Sequence, residues 1–204
     1  MKRILLLVTV ASMLAAAIAL SGVAQAAPTI GSTADAKCLA EAAKTVEQPG
    51  FNPADYTFIG GTEDADNFTD PASGGPYVFC GFGGDDSIQT LDGSGRPTLD
   101  DRDIFLGGEG NDYVSNNEGT FYGGEGNDEV NHNLGTFYGG AGDDLVHDNQ
   151  GTFYGGEGND EVNRNLGTFY GEEGNDFVEE NRGTFNGGPG DDTVVVGNPP
   201  VDGS

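Results

Sequence analysis

The chain has 204 residues, with 34 acidic against 8 basic side chains and a formal charge of −26 at pH 7. Nucleic acid and anionic lipid are polyanions too, so both are excluded as attractive partners, and cations are the natural counterpart. High net charge with low hydrophobicity is also the composition of disordered chains, so the order of the residues has to decide whether this one folds.

At the start, Lys2 and Arg3 precede an apolar stretch from Ile4 to Leu20, followed by the small-x-small site Ala24-Gln25-Ala26. This predicts a signal peptide over 1–26 and a secreted, extracellular protein. A membrane anchor is the alternative, but the apolar run matches only the shortest spans and no basic stop-transfer flank comes after it. Cleavage removes two basic and no acidic residues, leaving 6 − 34 = −28.

Residues 27–57 are predicted to be helical. Ser32, Thr33 or Asp35 can cap a helix over Ala36–Glu47, with Leu39, Ala43 and Val46 on one face and Gln48-Pro49-Gly50 ending it. Cys38 and Cys80 are the two cysteines, and an even count in an oxidising compartment predicts one disulfide between them. Two thiols without a nearby histidine leave a zinc tetrahedron half empty.

Residues 58–102 contain loose copies of a glycine-aspartate turn. Phe79–Ile88 (FCGFGGDDSI) places Gly84 and Asp86 in a loop pattern, and Phe58-Ile59-Gly60-Gly61 with Asn67 suggests a more degenerate turn. Asp92-Gly93-Ser94-Gly95-Arg96-Pro97 reads as an inserted surface loop.

From 103 to 198 the sequence repeats every sixteen residues, as in Gly119–Leu134 (GTFYGGEGNDEVNHNL) and Gly151–Leu166 (GTFYGGEGNDEVNRNL). Six units run in register, which marks a solenoid. The fold class expected is all-β, a parallel β-roll of 16-residue coils with a short N-terminal helical cap. The tail 199–204 opens with Pro199-Pro200, which cannot donate to a ladder and blunts the far edge.

Within each unit one run recurs: Gly-Gly-x-Gly-Asn/Asp-Asp-x-Val. Its candidate ligand positions are Gly107, Gly108, Gly110, Asn111 and Asp112, then Gly123, Gly124, Gly126, Asn127 and Asp128. They continue at Gly139, Gly140, Gly142, Asp143 and Asp144, and at Gly155, Gly156, Gly158, Asn159 and Asp160. The last two loops give Gly171, Gly174, Asn175 and Asp176, and Gly187, Gly188, Gly190, Asp191 and Asp192. Glycine permits φ > 0 and brings backbone carbonyls inward. The sixth position is always Asp, whereas a merely solvated acidic face would admit Glu there. Glutamate instead occupies the third position (Glu109, Glu125, Glu157, Glu173), which also admits Ala141 and Pro189, so that side chain is expected to face solvent. Calcium takes six to eight oxygens from carbonyls and carboxylates. One loop is too small for that, whereas two loops one coil apart can share an ion.

The run resembles the RTX (haemolysin-type) calcium-binding repeat. That family's usual coil has eighteen residues with two glycine turns. Here one turn shrinks to four residues, as in strand Glu129-Val130-Asn131, turn His132-Asn133-Leu134-Gly135 and strand Thr136-Phe137-Tyr138. Calcium is therefore expected along one edge only, in about five sites between six loops. The other edge carries Asn117, Asn133, Asn149, Asn165 and Asn181, read as structural. A thin core of one Phe and one Val per coil, under this charge, implies that folding and ion binding are coupled.

Strand alternation leaves two outer ranks, Thr120 to Thr184 and Tyr122 to Tyr170. Hence the alternative function, an extracellular adhesive, matrix, ice- or glycan-binding module whose Thr/Tyr face meets a surface or protein partner, calcium being structural only. No HExxH, GxSxG or phosphate loop occurs, and His132 and His147 read as exposed turn residues, so no enzyme is expected.

Overall fold

The computed structural model describes residues 31–46, 48–69, 76–88 and 99–195. The expected signal peptide, the Asp92–Pro97 loop and the tail 199–204 lie outside the described residues.

The described residues form helix α1 (Thr33–Thr45), a 3₁₀ turn at Pro53–Asp55 and sixteen strands wound as a parallel solenoid of eight coils. One sheet holds β1 (Thr57–Gly60), β3 (Tyr77–Gly83), β5 (Ile104–Glu109), β7 (Thr120–Glu125), β9 (Thr136–Ala141), β11 (Thr152–Glu157), β13 (Thr168–Glu173) and β15 (Thr184–Asn186). The other holds β2 (Asn67–Phe68), β4 (Ser87–Ile88), β6 (Tyr113–Asn117), β8 (Glu129–Asn133), β10 (Leu145–Asn149), β12 (Glu161–Asn165), β14 (Phe177–Asn181) and β16 (Thr193–Val194). Equivalent residues pair across coils, Phe121 with Phe137 and Val130 with Val146, so the sequence period is the coil.

Between the sheets run two apolar columns, fully buried from Phe105 to Phe169 and from Val114 to Val178. From Phe121 to Phe169 neighbouring phenylalanines stack at 4.8 Å with planes 6–7° apart. Each ring covers the next, so the thin core is continuous along the axis. Burying each such side chain is worth about 1.5–3 kcal/mol.

The turn opposite the glycine loops is shorter than the four residues expected. Asn133 lies inside β8, so only Leu134 and Gly135 separate it from β9. Both of their N–H groups donate to Asn117 O, and the asparagine side chain points inward to hold the bend.

Ser32 caps α1 with a full capping box, its side chain accepting from the Asp35 N–H. The buried face is Cys38, Leu39 and Ala42, with Val46 half-buried, whereas Ala43 is exposed. The expected Leu39–Ala43–Val46 stripe is thus rotated, because the Cys38–Cys80 disulfide, Cα atoms 5.5 Å apart, fixes which side meets the roll. The helix roofs the outer face of the first sheet, packing on Phe58, Val78, Cys80, Ile104 and Leu106. Its first turn also reaches the sheet edge, where Asp35 Oδ1 accepts from the Gly60 N–H.

Candidate metal site

Each glycine loop turns the chain from a first-sheet strand to a second-sheet strand. The second and fourth positions sit at positive φ, 118° and 125° for Gly108 and Gly110. At the second position an added Cβ would also collide with the preceding coil, 2.2 Å from Gly108 O in the case of Gly124. Two residues break the rule and still keep the geometry, Phe82 at φ 80° and Glu172 at 75°.

The sixth-position aspartates point inward. Asp112, Asp128, Asp144, Asp160 and Asp176 are at most 1% exposed. One carboxylate oxygen is bound: the Asp112 N–H donates to Asp128 Oδ1 at 2.7 Å, and the Asp144 N–H to Asp160 Oδ1 at 2.8 Å. The other oxygen, Oδ2, is buried without any hydrogen-bond partner in all five. A buried unpartnered carboxylate oxygen is costly, and here the fault repeats in five successive coils.

What borders those oxygens decides their chemistry. A Cβ on Gly107 would lie 1.9 Å from Asp112 Oδ2 and 2.6 Å from Gly123 O of the next coil. The same pair recurs at Gly123, Gly139 and Gly155, so glycine keeps open a cradle walled by a carboxylate and a carbonyl. Among the described residues no three His, Cys, Asp or Glu side chains cluster in the manner of a compact metal centre. The donors are hard oxygens, mostly backbone, and they suit calcium rather than zinc or copper. Asp192 ends the series. The space at Gly187 meets only Asp192 atoms among its nearest neighbours, with no carbonyl of a following coil.

Electrostatics agree. Burial pushes the carboxyl of Asp144 up to about 9, of Asp112 to about 8, and of Asp128 and Asp160 to about 7, against the lowering effect of the backbone N–H each accepts. Neighbouring carboxylates raise Asp112, Asp144 and Asp160 further. Two unit charges one coil apart repel by about 1 kcal/mol in water and about 3–4 at an effective dielectric of 20. A divalent cation between them reverses the sign.

The fifth-position side chains sit elsewhere. Asn111, Asn127, Asp143, Asn159, Asn175 and Asp191 are exposed at the rim. The Oδ1 atoms of the first five accept from the next coil, as when the Asn127 N–H donates to Asn111 Oδ1 at 2.8 Å. They brace the loops in the direction opposite to the inner aspartates. The third-position residues Glu109, Glu125, Glu157 and Glu173 are exposed, as their variability indicated.

At the opposite edge the asparagines form a buried amide ladder. Asn133 Nδ2 donates to Asn149 Oδ1 at 2.8 Å and to Thr152 O at 3.1 Å. The histidines are strand residues, not turn residues. His147 lies between Glu129 at 3.0 Å and Asn163 at 2.9 Å, and His132 meets Asp148, which also takes Arg164 at 2.6 Å. The sixteen-residue register aligns these groups into a polar ladder on the outer second sheet, a pairing that is visible only once the strands are extended to Asn133.

The family model of the RTX calcium-binding nonapeptide repeat matches residues 98–119, 120–136 and 136–167. Residues 98–167 are RTX calcium-binding repeats. Comparison with curated proteins and with solved structures gives no match. RTX repeats bind calcium, and the matched stretch contains four of the buried aspartates, Asp112 to Asp160. The loops of Asp176 and Asp192 continue the same register through β13–β16.

Proposed function

We propose that the chain is an exported, non-enzymatic calcium-binding repeat protein whose coils order as calcium enters between the stacked loops. Asp112, Asp128, Asp144, Asp160 and Asp176 would each supply a carboxylate oxygen, joined by carbonyls of their own and the next loop. That gives about five shared ions in the regular array. The single observation that carries this is the file of buried Oδ2 atoms without partners. A calcium-poor cell interior would keep the chain unfolded for export, and the exterior would fold it.

Calcium titration monitored by circular dichroism tests the reading. The β signal is expected to appear cooperatively with calcium and to vanish in excess chelator at low salt. A roll that persists in chelator at neutral pH overturns the coupling.

A surface-binding module is the competing class, and the outer Thr/Tyr ranks are where it would act. Tyr122, Tyr138, Tyr154 and Tyr170 stack on one another at 4.8–5.0 Å with planes within 10°. Their faces are taken up by each other and only edges and hydroxyls turn outward, which favours a bracing ladder over a platform for stacking sugars.

A further inference from the structure

The loop Gly81–Asp86 lies outside the matched repeats and departs from their sequence. Phe82 stands at the level of Gly108, and Gly83 at that of Glu109. Its backbone does not depart. Phe82 and Gly84 have φ 80° and 91°, the same left-handed region as Gly108 and Gly110. A left-handed phenylalanine costs about 1–2 kcal/mol, yet the loop retains it, with Lys37 Nζ 3.8 Å above the ring.

The long insertion does not interrupt the stack. Ser87 and Ile88 pair with Tyr113 and Val114. The Asp86 N–H donates to Asp112 Oδ1 at 2.8 Å, and the Asn111 N–H to Asp85 Oδ1 at 2.9 Å. A Cβ on Gly81 would lie 1.8 Å from Asp86 Oδ2 and 2.5 Å from Gly107 O, within 0.1 Å of the figures at Gly107 itself. Asp86 is 1% exposed, and its Oδ2 has no partner.

One coil upstream the pattern ends. Asp66 occupies the same column, since its N–H donates to Asp86 Oδ1 at 2.7 Å. Its own Oδ2, however, accepts from the Thr62 N–H at 2.7 Å and from Thr62 Oγ1 at 3.0 Å. The space at Gly61 is bordered by Asp66 and the Phe68 ring, with no carbonyl of the next coil among its nearest atoms.

We propose that the ion column starts one loop before the recognisable repeats: Asp86, with the Gly107 carbonyl, forms an additional calcium site, and Thr62 closes the column at Asp66 by donating in place of a cation. This rests on the calcium reading of the regular loops. It also gives Phe82 a reason to hold a strained backbone, because that conformation carries the loop carbonyls into the same positions as glycine does.

The ions bound by the chain are counted by calorimetric titration with calcium chloride and by native mass spectrometry, for the wild type, Asp86→Asn and Asp66→Asn. The wild type is expected to bind about six, one more than the regular gaps provide. Asp86→Asn should bind one fewer, and Asp66→Asn the same number. An unchanged count in Asp86→Asn overturns this site and leaves the calcium reading standing. A wild type that binds no calcium overturns both. If Asp86→Asn does not recover its β signal in saturating calcium, the wild-type count decides alone: about six supports the site, and about five rejects it.

Discussion

Each edge of the roll carries a buried file of one short polar side chain per coil, amide on one edge and carboxylate on the other. On one edge the Asn133, Asn149 and Asn165 side chains use both polar ends, as when Asn149 Nδ2 donates to Asn165 Oδ1 at 2.8 Å and to Thr168 O at 3.0 Å; only at the first rung is an oxygen, Asn117 Oδ1, buried without a partner. On the other edge Asp144 accepts one backbone N–H through Oδ1 and leaves Oδ2 with nothing. An amide in that place could donate to a carbonyl, whereas a carboxylate needs a proton or a cation. Beyond its first rung the asparagine edge is therefore complete as protein, and the aspartate edge is complete only with something positive added. A single solenoid thus carries a permanent seam and a conditional one.

Protons test the conditional seam most strongly. The aspartates have folded-state values raised from 3.8 to about 7–9. The folded form therefore binds more protons than the unfolded one between about pH 4 and 9, and folding without calcium weakens as pH rises through that window. In chelator, the β signal should be strongest near pH 4–5 and be lost towards pH 8, a swing of several kcal/mol summed over four groups. A chelated roll that is more stable at pH 8 than at pH 5 would show that these carboxylates are not buried as described.

The permanent seam is tested by Asn149→Ala. The change takes the donor from Asn165 Oδ1 and the Thr168 carbonyl and leaves the Asn133 amide only Thr152 O, and should cost about 2–4 kcal/mol in calcium-saturated stability while leaving the ion count unchanged. Loss of an ion in this variant would mean that the two edges are not independent.

Asp144→Asn turns one rung of the conditional seam into the other kind. In chelator it should stabilise the chain by about 1–2 kcal/mol through removed repulsion. In calcium it should lower the ion count or its cooperativity. Asp192→Asn should leave the ion count unchanged, because no following coil offers a carbonyl at Gly187. Equal losses from both substitutions, measured by calorimetry, would argue that each loop holds its ion alone.

The sequence carries the columns well and the singular features poorly, for one physical reason. In a stacked coil every residue touches its own equivalents, so sixteen-residue recurrence reports environment directly. Phe121 and Val130 read as core, Glu125 as exposed and Asp128 as special because each is seen again one coil on. Asn133 reads as a turn residue because its small polar side chain suits one, and nothing local shows that amides in register can hold a strand to its last residue. Spacing alone puts Ala43 on the helix face, whereas the disulfide at Cys38 sets that face. Phe82 hides its glycine-like backbone because residue type, not conformation, is written in the chain.

One consequence of the coil geometry is mechanical. The bonds joining coils run along the roll axis, and each coil advances the axis by only about 4.8 Å. Pulling the two ends apart therefore loads the rungs one at a time. The C-terminal coil, where β15 and β16 pair on one side only, is the natural place to begin. Each sixteen-residue coil that peels away releases about 50 Å of slack. Cys38–Cys80 spans 42 residues and locks the chain between them, so the covalently tied end should hold after the calcium-bearing coils have unwound. An optical trap should record a staircase of near-equal steps in calcium and a featureless stretch in chelator, as expected of a tether that grips only where the ion is present.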